Sequence, residues 1–223
     1  MFSPGKEIDR LKKGWRAISL YRQCVRPGDL CFDIGANHGS RSVIFTFLGA
    51  RTIAIEPNEG LTRKLRRFPR VTVVNKAVSD KPGQATMQFN RNDQISSLNP
   101  EWRKNWPEFP DWYERQVECI TFDQLIGQYG MPNFCKIDVE GYEATVLGGL
   151  TQRVPMLSFE ATPELVSNTE KCLSLLLRLG EYEFNFAIGD DFVWLSPQWE
   201  SAEQIVKRIT LVGDIYARIK NRR

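Results

Sequence analysis

The chain has 223 residues, so we expect one domain with a substantial core, spanning residues 1–223, rather than two domains. Hydrophobic residues make up 42% and charged residues 26%, close to the averages of soluble proteins, which excludes a disordered, fibrous or membrane-embedded class. The net charge of +3, from 30 basic and 27 acidic residues, is too balanced to indicate nucleic-acid binding.

The chain opens with a helical pattern that leads into a β-α-β unit. Apolar residues at helical spacing predict an amphipathic helix over residues 6–25, within an N-terminal helical extension at 1–27. Apolar runs at 30–36 and 52–55 predict two strands, and residues 40–48 between them have a helical pattern. A strand, a helix and a second strand in this order predict the start of a parallel sheet.

The alternation continues with a predicted helix at 61–68 and a β-branched strand at 71–78. The turn residues Lys81-Pro82-Gly83 precede a further strand at 85–89, which predicts a hairpin there. Strands alternating with helices indicate an α/β fold with a mostly parallel sheet and helices on both of its faces.

Residues 90–116 interrupt this alternation with three tryptophans, Trp102, Trp106 and Trp112. The segment is too aromatic to be a linker. Long irregular insertions are often lids or binding loops, so a lid over the substrate is one interpretation. A loop that packs its tryptophans on the core is the other.

The second half of the chain resumes the alternation. Strands are predicted at 134–139 and 156–160, and helices at 143–147 and 164–179. The pattern so far extends the parallel sheet.

Near the end of the chain, strands at 183–188 and 192–195 are separated only by Gly189-Asp190-Asp191, which predicts an antiparallel hairpin. A helix at 202–219 is expected to follow. A parallel sheet closed by an antiparallel hairpin resembles the Rossmann-like methyltransferases more than the dinucleotide dehydrogenases.

Cysteine usage and hydropathy bear on the cellular compartment. The five cysteines form no C-x-x-C pair, and Cys31, Cys119 and Cys135 lie in apolar runs, as expected for buried thiols in a reducing compartment. No run approaches the roughly 20 apolar residues of a membrane span, and the N-terminus lacks the apolar core of a signal peptide. A cytoplasmic protein without a membrane partner is therefore expected.

The first motif, Asp33-x-Gly35-x-x-x-Gly39, follows the first strand. Glycines at a strand-to-helix turn let a ligand approach free backbone N–H groups. Asn37 stands where the dinucleotide motif G-x-G-x-x-G has its second glycine, so a methionine tail fits better than a pyrophosphate.

Two further strings extend the predicted nucleoside site. Glu56, followed by Pro57 at the end of the second strand, is placed to accept hydrogen bonds from ribose hydroxyls, unless it merely caps a surface helix. The string from Asn75 through Ala77 to Asp80 lies where an adenine ring would rest, although a plain turn explains it equally well.

Carboxylates mark the expected catalytic end of the sheet. The string 136–143 places Asp138, Glu140 and Glu143 after a central strand, where like charges can raise a carboxyl pKa and create a general base. Alternatively, Glu140 and Glu143 cap the next helix and only Asp138 lines the site. Glu160 ends the following strand and is expected to point into the same crevice.

The only histidine, His38, lies in the glycine loop, where its backbone is expected to matter more than its ring. No cluster has metal-ligand spacing, so no metal site is predicted. Asp138, Glu140 and Glu160 could nevertheless share a divalent cation.

Four of these strings together resemble the FkbM family of methyltransferases, and the resemblance extends over residues 28–160. The matching strings are Asp33-Ile-Gly-Ala-Asn-His-Gly39, Glu56-Pro57, Asn75-Lys-Ala-Val-Ser-Asp80 and Lys136-Ile-Asp-Val-Glu-Gly-Tyr-Glu143. Residues 213–217 also look like the end of such a domain. The N-terminal helix and the Trp-rich insertion are not covered by the resemblance.

The resemblance implies a Rossmann-like class I fold that binds S-adenosylmethionine, and acceptors that are mainly hydroxyl groups on sugars or natural-product scaffolds. It places Glu56 on the ribose, with Pro57 beside it. Around the methionine portion it places the loop residues Asp33, Gly35, Ala36, Asn37, His38 and Gly39. We expect Asp138 to lie nearest the acceptor, with Glu140 or Glu160 orienting its hydroxyl.

Two other functions remain open from the sequence. A basic cluster at 63–70 and four basic residues near the C-terminus favour a nucleic-acid methyltransferase, which the balanced net charge opposes. A non-catalytic scaffold with the same fold is the other, opposed by the intact Asp33 loop, Glu56 and Asp138. Exposed aromatic residues could also mark a homodimer contact.

Overall fold

The structure is a computed structural model that describes the backbone of residues 4–91, 96–105 and 107–220. Trp106 of the predicted insertion lies outside these ranges, as do Arg222 and Arg223 of the basic C-terminus.

Strands and helices alternate along the described chain. The strands are β1 (Leu30–Ile34), β2 (Arg51–Ile55), β3 (Val71–Val74), β4 (Ala77–Ser79), β5 (Gly83–Asn90), β6 (Trp112–Thr121), β7 (Phe134–Ile137), β8 (Met156–Ala161), β9 (Tyr182–Ile188), β10 (Val193–Trp194) and β11 (Gly213–Ile219). The helices are α1 (Pro4–Tyr21), α2 (Ser40–Phe47), α3 (Glu59–Leu65), α4 (Phe122–Tyr129), α5 (Glu143–Gly148), α6 (Val166–Leu179) and α7 (Ala202–Val206).

The larger sheet has the order β10-β9-β11-β8-β7-β1-β2-β3. Strands β3, β2, β1, β7 and β8 pair in parallel, and β11 pairs antiparallel with both β8 and β9. The predicted hairpin is confirmed, since β9 and β10 are antiparallel. The α/β architecture is therefore as expected, but β11 supplies the main antiparallel strand.

The helix predicted at 202–219 is wrong beyond its first turns. Helix α7 ends at Val206, and Gly213–Ile219 forms β11, which hydrogen-bonds to neighbours on both sides. A Cβ atom at Gly213 would lie 2.3 Å from the Ala187 carbonyl oxygen, so the close approach of β9 requires glycine there. Two rows of sheet hydrogen bonds outweigh the helical spacing of this segment.

A second, three-stranded sheet has the order β4-β6-β5. The hairpin expected at the turn 81–83 is wrong, because β5 pairs antiparallel with β6, and β4 joins the other side of β6 in parallel. The strand predicted at 71–78 is accordingly two strands in different sheets. The predicted insertion ends inside β6, and α4 was not predicted.

Helices cover both faces of the larger sheet, as expected. On one face, Tyr21 of α1 and Phe45 of α2 pack on Phe134 of β7, with ring centroids 5.9 and 5.6 Å from it. On the other face, helices α4, α5 and α6 bury a cluster that includes Phe32 and Phe159. Because side chains alternate along a strand, Lys136 lies on the same face as Phe134.

The three cysteines predicted to be buried, Cys31, Cys119 and Cys135, are buried free thiols. None of the helices in the described part of the chain has the length and apolar character that crossing a bilayer requires.

Candidate active site

A cleft of about 1050 Å³ opens at the carboxyl ends of β1, β2, β7 and β8. This is the edge at which parallel α/β sheets bind ligands. The second sheet contributes to its wall through Ala77 and Met87, and residues 211–214 line it from the opposite side. Its volume is sufficient for a nucleoside together with a second small molecule.

The glycine loop lies against the strand that carries Asp138. Gly35 has a φ of +78°, and a Cβ atom there would lie 1.8 Å from the Asp138 carbonyl oxygen. The N–H groups of Gly35 and Ala36 both donate to the Ile55 carbonyl oxygen, at 2.9 and 3.1 Å. These two N–H groups hold the loop to β2, while Gly35, Asn37 and His38 line the cleft.

Gly39 is the N-cap of α2, with a φ of +83°. A Cβ atom at this position would lie 2.5 Å from Leu65 Cδ2 of α3, and the positive φ also favours glycine here.

The Asp33 side chain stabilises the glycine loop by linking its start to α2. Its side chain is almost completely buried and accepts a hydrogen bond of 2.5 Å from Ser42 Oγ. Burial raises the pKa of this carboxyl, and the Ser42 hydrogen bond opposes the rise. Asp33 is not part of the cleft lining, so its place differs from the ligand contact that the motif implied.

Glu56 lines the cleft at the end of β2 and is only 6% exposed. Its Oε2 accepts from the Asn37 backbone N–H at 2.9 Å, and its Oε1 from the Asn58 N–H at 2.7 Å. The carboxylate thus joins the glycine loop to the start of α3. The N-cap of α3 is Asn58, not Glu56, and Pro57 also lines the cleft.

Asn75 holds the end of β2 in place and lies outside the cleft lining. Its exposed side chain donates from Nδ2 to the carbonyl oxygens of Glu56 and Pro57, at 3.0 and 2.9 Å. Ala77 does line the cleft, with Val78 beside it. These two residues give this part of the cleft wall apolar side chains, next to Lys76.

A buried lysine organises the other half of the cleft. Lys136 is 1% exposed, and its Nζ lies 3.1 Å from Asp138 Oδ2 and 3.0 Å from Asp214 Oδ1. Burial by itself would lower the pKa of Lys136, but the two aspartates hold it well above its ordinary value. A fully charged ammonium therefore lies between two cleft carboxylates.

Glu140 and Glu160 line the same half of the cleft. Burial is the main cause that raises their pKa values, to about 10 and about 9, and the charge of Asp138 adds to both. The charge of Glu160 also raises the pKa of Glu140. At neutral pH both carboxyl groups are therefore protonated and can donate hydrogen bonds.

The Glu143 side chain stabilises the turn that precedes α5 and does not line the cleft. It is buried and accepts from the N–H groups of Val139 and Gly141, at 3.3 and 3.1 Å, and from Asn168 Nδ2 at 2.8 Å. The alternative in which both glutamates cap the helix therefore describes neither residue, since Glu143 bonds the turn that precedes α5 and Glu140 lines the cleft.

The Trp-rich segment packs on the same turn. Trp102 is 4% exposed, and a Cβ atom at Gly141 would lie 3.0 Å from Trp102 Cε3. Ser97 Oγ donates to the Glu140 carbonyl oxygen at 2.7 Å, and the neighbouring Leu98 lines the cleft. The described part of the segment thus packs its tryptophan on the core and also supplies cleft wall, while Trp112 begins β6.

Two charged residues that line the cleft, Arg41 and Asp214, were not predicted from the sequence. Arg41 lies in the first turn of α2, with its guanidinium 4.7 Å from the ring centre of Phe192. Arg41 Nε is buried and has no hydrogen-bond partner among the described residues. The signal for Asp214 was its place in the family-like ending 213–217, which the helix prediction obscured.

Two alternatives gain no support from the described residues. Within them, no three His, Cys, Asp or Glu side chains are arranged to hold a metal ion. The basic side chains of Arg63, Lys64, Arg66 and Arg67 are exposed, and they do not line the cleft.

Comparisons with known proteins agree with this geometry. Residues 33–180, about two thirds of the chain, match the family described as the methyltransferase FkbM domain. The hexuronic acid methyltransferase AglP of Haloferax volcanii is 25% identical over 148 residues, which cover 64% of this chain. The match spans 58% of the length of AglP.

Solved structures share the fold. A proposed methyltransferase from Streptococcus mutans, determined in complex with SAH, has a TM-score of 0.50 and 10% identity, covering 98% of this chain and 99% of that one. A precorrin-6y C5,15-methyltransferase from Geobacter metallireducens has a TM-score of 0.47 and 16% identity, covering 92% of this chain and 86% of that one. The family match over residues 33–180 makes the chain a member of the FkbM family of S-adenosylmethionine-dependent methyltransferases.

Proposed function

We propose that this chain transfers a methyl group from S-adenosylmethionine to a hydroxyl group of a sugar or natural-product small molecule. The observation that carries the proposal is one cleft that holds both the Gly35 loop with Glu56 and an Asp138 carboxylate paired to Lys136.

The first half of the cleft fits the cofactor. Glu56 presents a nearly buried carboxylate to the cleft, and the backbone N–H groups of Asn37 and Asn58 hold this carboxylate in place. Ala77, Val78 and Leu61 give an apolar surface next to it, as an adenine ring requires. S-adenosylmethionine supplies a methyl group already activated by a positively charged sulfur.

The second half of the cleft fits a hydroxylated acceptor. Asp138 accepts the hydroxyl proton as the new C–O bond forms and the sulfur–methyl bond of the cofactor breaks, and the protonated Glu140 and Glu160 donate hydrogen bonds that orient the acceptor's other oxygens. Fixed positions of these groups supply most of the rate enhancement, because the methyl group needs no further activation.

A sugar acceptor is supported by the similarity to AglP, whose name gives hexuronic acid as its substrate. Several hydrogen-bonding carboxyl groups around one apolar-walled cleft are also suited to a polyhydroxylated molecule. Residues 1–223 act as a single methyltransferase domain in this proposal, because both sheets contribute to the cleft.

Replacing Glu56 by Gln is expected to weaken S-adenosylmethionine binding about ten- to hundredfold, because the amide offers one acceptor oxygen instead of two. Isothermal titration with S-adenosylmethionine and with its demethylated product measures this. Glu59→Gln, an exposed change three residues away, is the matched control and should bind like the unmodified protein. Equal affinities for all three proteins would contradict the cofactor assignment.

Replacing Asp138 by Asn is expected to lower kcat about 10²–10⁴-fold while cofactor affinity stays within about threefold, because the amide cannot accept the hydroxyl proton. The assay supplies radiolabelled methyl groups to a panel of neutral sugars, uronic acids and hydroxylated natural products. Asp111→Asn, an exposed aspartate outside the cleft, is the control.

The stability of the labelled product tests the acceptor group. A methyl ether on a hydroxyl survives mild alkali, whereas a methyl ester on a carboxyl group releases its label as methanol. Label that resists alkali supports hydroxyl transfer, and label lost in alkali would show that the acceptor is a carboxylate instead.

A further inference from the structure

Asp214 reaches the acceptor half of the cleft from β11, a strand outside the residues that match the family. Its side chain is 13% exposed, and the residue pairs across the ladder with Glu160 of β8. The position of Asp214 is fixed from both sides, because β8 pairs with one edge of β11 and β9 pairs with the other. Asp214 is thus fixed by the sheet and not by a loop.

The ammonium of Lys136 forms ion pairs with two carboxylates, those of Asp138 and Asp214. Lys136 Nζ donates to the Ile137 carbonyl oxygen at 3.2 Å and to Asp214 Oδ1 at 3.0 Å, and it lies 3.1 Å from Asp138 Oδ2. Two of the three donors of the ammonium are thus used by Ile137 and Asp214, and Asp138 meets the ammonium as an ion pair. The orientation of the Lys136 ammonium toward Asp138 therefore depends on Asp214.

We infer that Asp214 is a positioning residue for methyl transfer: it shares the Lys136 ammonium with Asp138, and so fixes the Asp138 carboxylate toward the acceptor. The inference rests on the proposed function. Without the second carboxylate, Lys136 is free to pair with Asp138 alone, which turns that carboxylate toward the sheet and makes it a poorer proton acceptor.

Charged and titratable groups interact with Asp214 from four other elements and from β11 itself. They are Tyr21 on α1, Arg41 on α2, Lys136 on β7, Glu160 on β8 and Tyr216 on β11. The charge of Asp214 is among the causes that raise the pKa of Glu160. Removing that charge should therefore lower the pKa of Glu160, a change that can be measured without any acceptor.

The test compares Asp214→Asn, Asp214→Glu and the control Glu183→Gln, which removes a carboxylate paired with Arg218 elsewhere in the same sheet. Asp214→Asn is expected to lower kcat about a hundredfold with the acceptor KM within about threefold. Asp214→Glu keeps the charge but moves it by one methylene, so kcat should fall only about fivefold. Glu183→Gln should keep full activity and S-adenosylmethionine affinity.

Carbon-13 NMR of the Glu160 carboxyl gives the second readout. Its titration midpoint should fall in Asp214→Asn and stay in place in Asp214→Glu and Glu183→Gln. If Asp214→Asn does not fold, Asp214→Glu still decides: full kcat in that variant overturns the inference. A kcat within twofold of the unmodified protein in Asp214→Asn, or an unchanged Glu160 midpoint there, also overturns it.

The two proposals fail in different ways. If no acceptor is methylated although S-adenosylmethionine binds, the proposed function fails, while the Glu160 titration still shows whether the charge of Asp214 acts on this cluster. If methylation is observed and the Asp214 variants match the control, the proposed function stands and the positioning role does not.

Discussion

Replacing Glu140 by Gln is expected to stabilise the protein, and the gain should grow from pH 5 to pH 8. Burial, with the charges of Asp138 and Glu160, raises the pKa of Glu140 to about 10 in the folded chain, whereas an unfolded glutamate titrates near 4.3. Between these values the folded state holds a proton that the unfolded state has lost. Raising the pH therefore favours unfolding, by up to about 1.4 kcal/mol for each pH unit.

Glutamine mimics the protonated side chain and does not titrate, so the variant escapes this loss. We expect a gain of about 2–4 kcal/mol in the free energy of unfolding at pH 8 and little gain at pH 5. Urea denaturation at the two pH values measures it. Glu170→Gln, an exposed change on α6, should show no such pH dependence. A gain for Glu140→Gln that is equal at both pH values would refute the raised pKa.

The same substitution separates stability from catalysis. Because Gln donates hydrogen bonds as protonated Glu does, methyl transfer at neutral pH should fall far less in Glu140→Gln than in Asp138→Asn. Proteins keep such unfavourable carboxyl groups where function requires them, at a cost in stability.

Local patterns explain which features could be predicted from the sequence. The first β-α-β unit, the glycine loop and the acids that follow β2, β7 and β8 depend on short spacings, and the carboxyl ends of parallel strands always share one edge. The sequence therefore predicted the correct edge for Glu56, Asp138 and Glu160. It also predicted the helices on both faces of the sheet.

Features that depend on distant pairing could not be predicted. The place of β11 between β8 and β9 is set by neighbours far along the chain, and the segment's helical spacing concealed it. Side-chain direction was a second difficulty. Asp33 and Asn75 each stand in a predicted cofactor motif, but Asp33 bonds the Ser42 side chain of α2, and Asn75 bonds carbonyl oxygens that follow β2. Which side such a side chain faces depends on the packing of α2 and β2.

The shared ammonium of Lys136 shows both difficulties at once. A lysine in an apolar strand is a sequence signal, since a lysine is almost never fully buried without a partner. Its second partner, Asp214, lies 78 positions away on β11, a strand whose residue spacing predicts a helix. Only the assembled sheet brings the two carboxylates to one cation.

Replacing Gly35 by Ala is expected to be among the most damaging single changes in the chain. The new Cβ atom would lie 1.8 Å from the carbonyl oxygen of Asp138 and 2.8 Å from its carbonyl carbon. Neither side can yield easily, because Gly35 N–H is bonded to Ile55 and the Asp138 N–H donates to the Ile34 carbonyl oxygen at 2.9 Å. We expect a loss of about 4 kcal/mol or more in the free energy of unfolding.

Gly28→Ala isolates the contribution of the clash. Gly28 also has a positive φ, +90°, but a Cβ atom there would meet nothing within 4 Å, so its loss reflects backbone strain, about 1–2 kcal/mol. Urea denaturation of both variants, with S-adenosylmethionine titration of any that fold, compares the two positions. Similar losses at both would mean that the loop and β7 can move apart. A much larger loss at Gly35 would show that the glycine loop and the residues that follow β7 form one rigid unit, so that the close approach of Gly35 to the Asp138 backbone fixes the two halves of the cleft relative to each other.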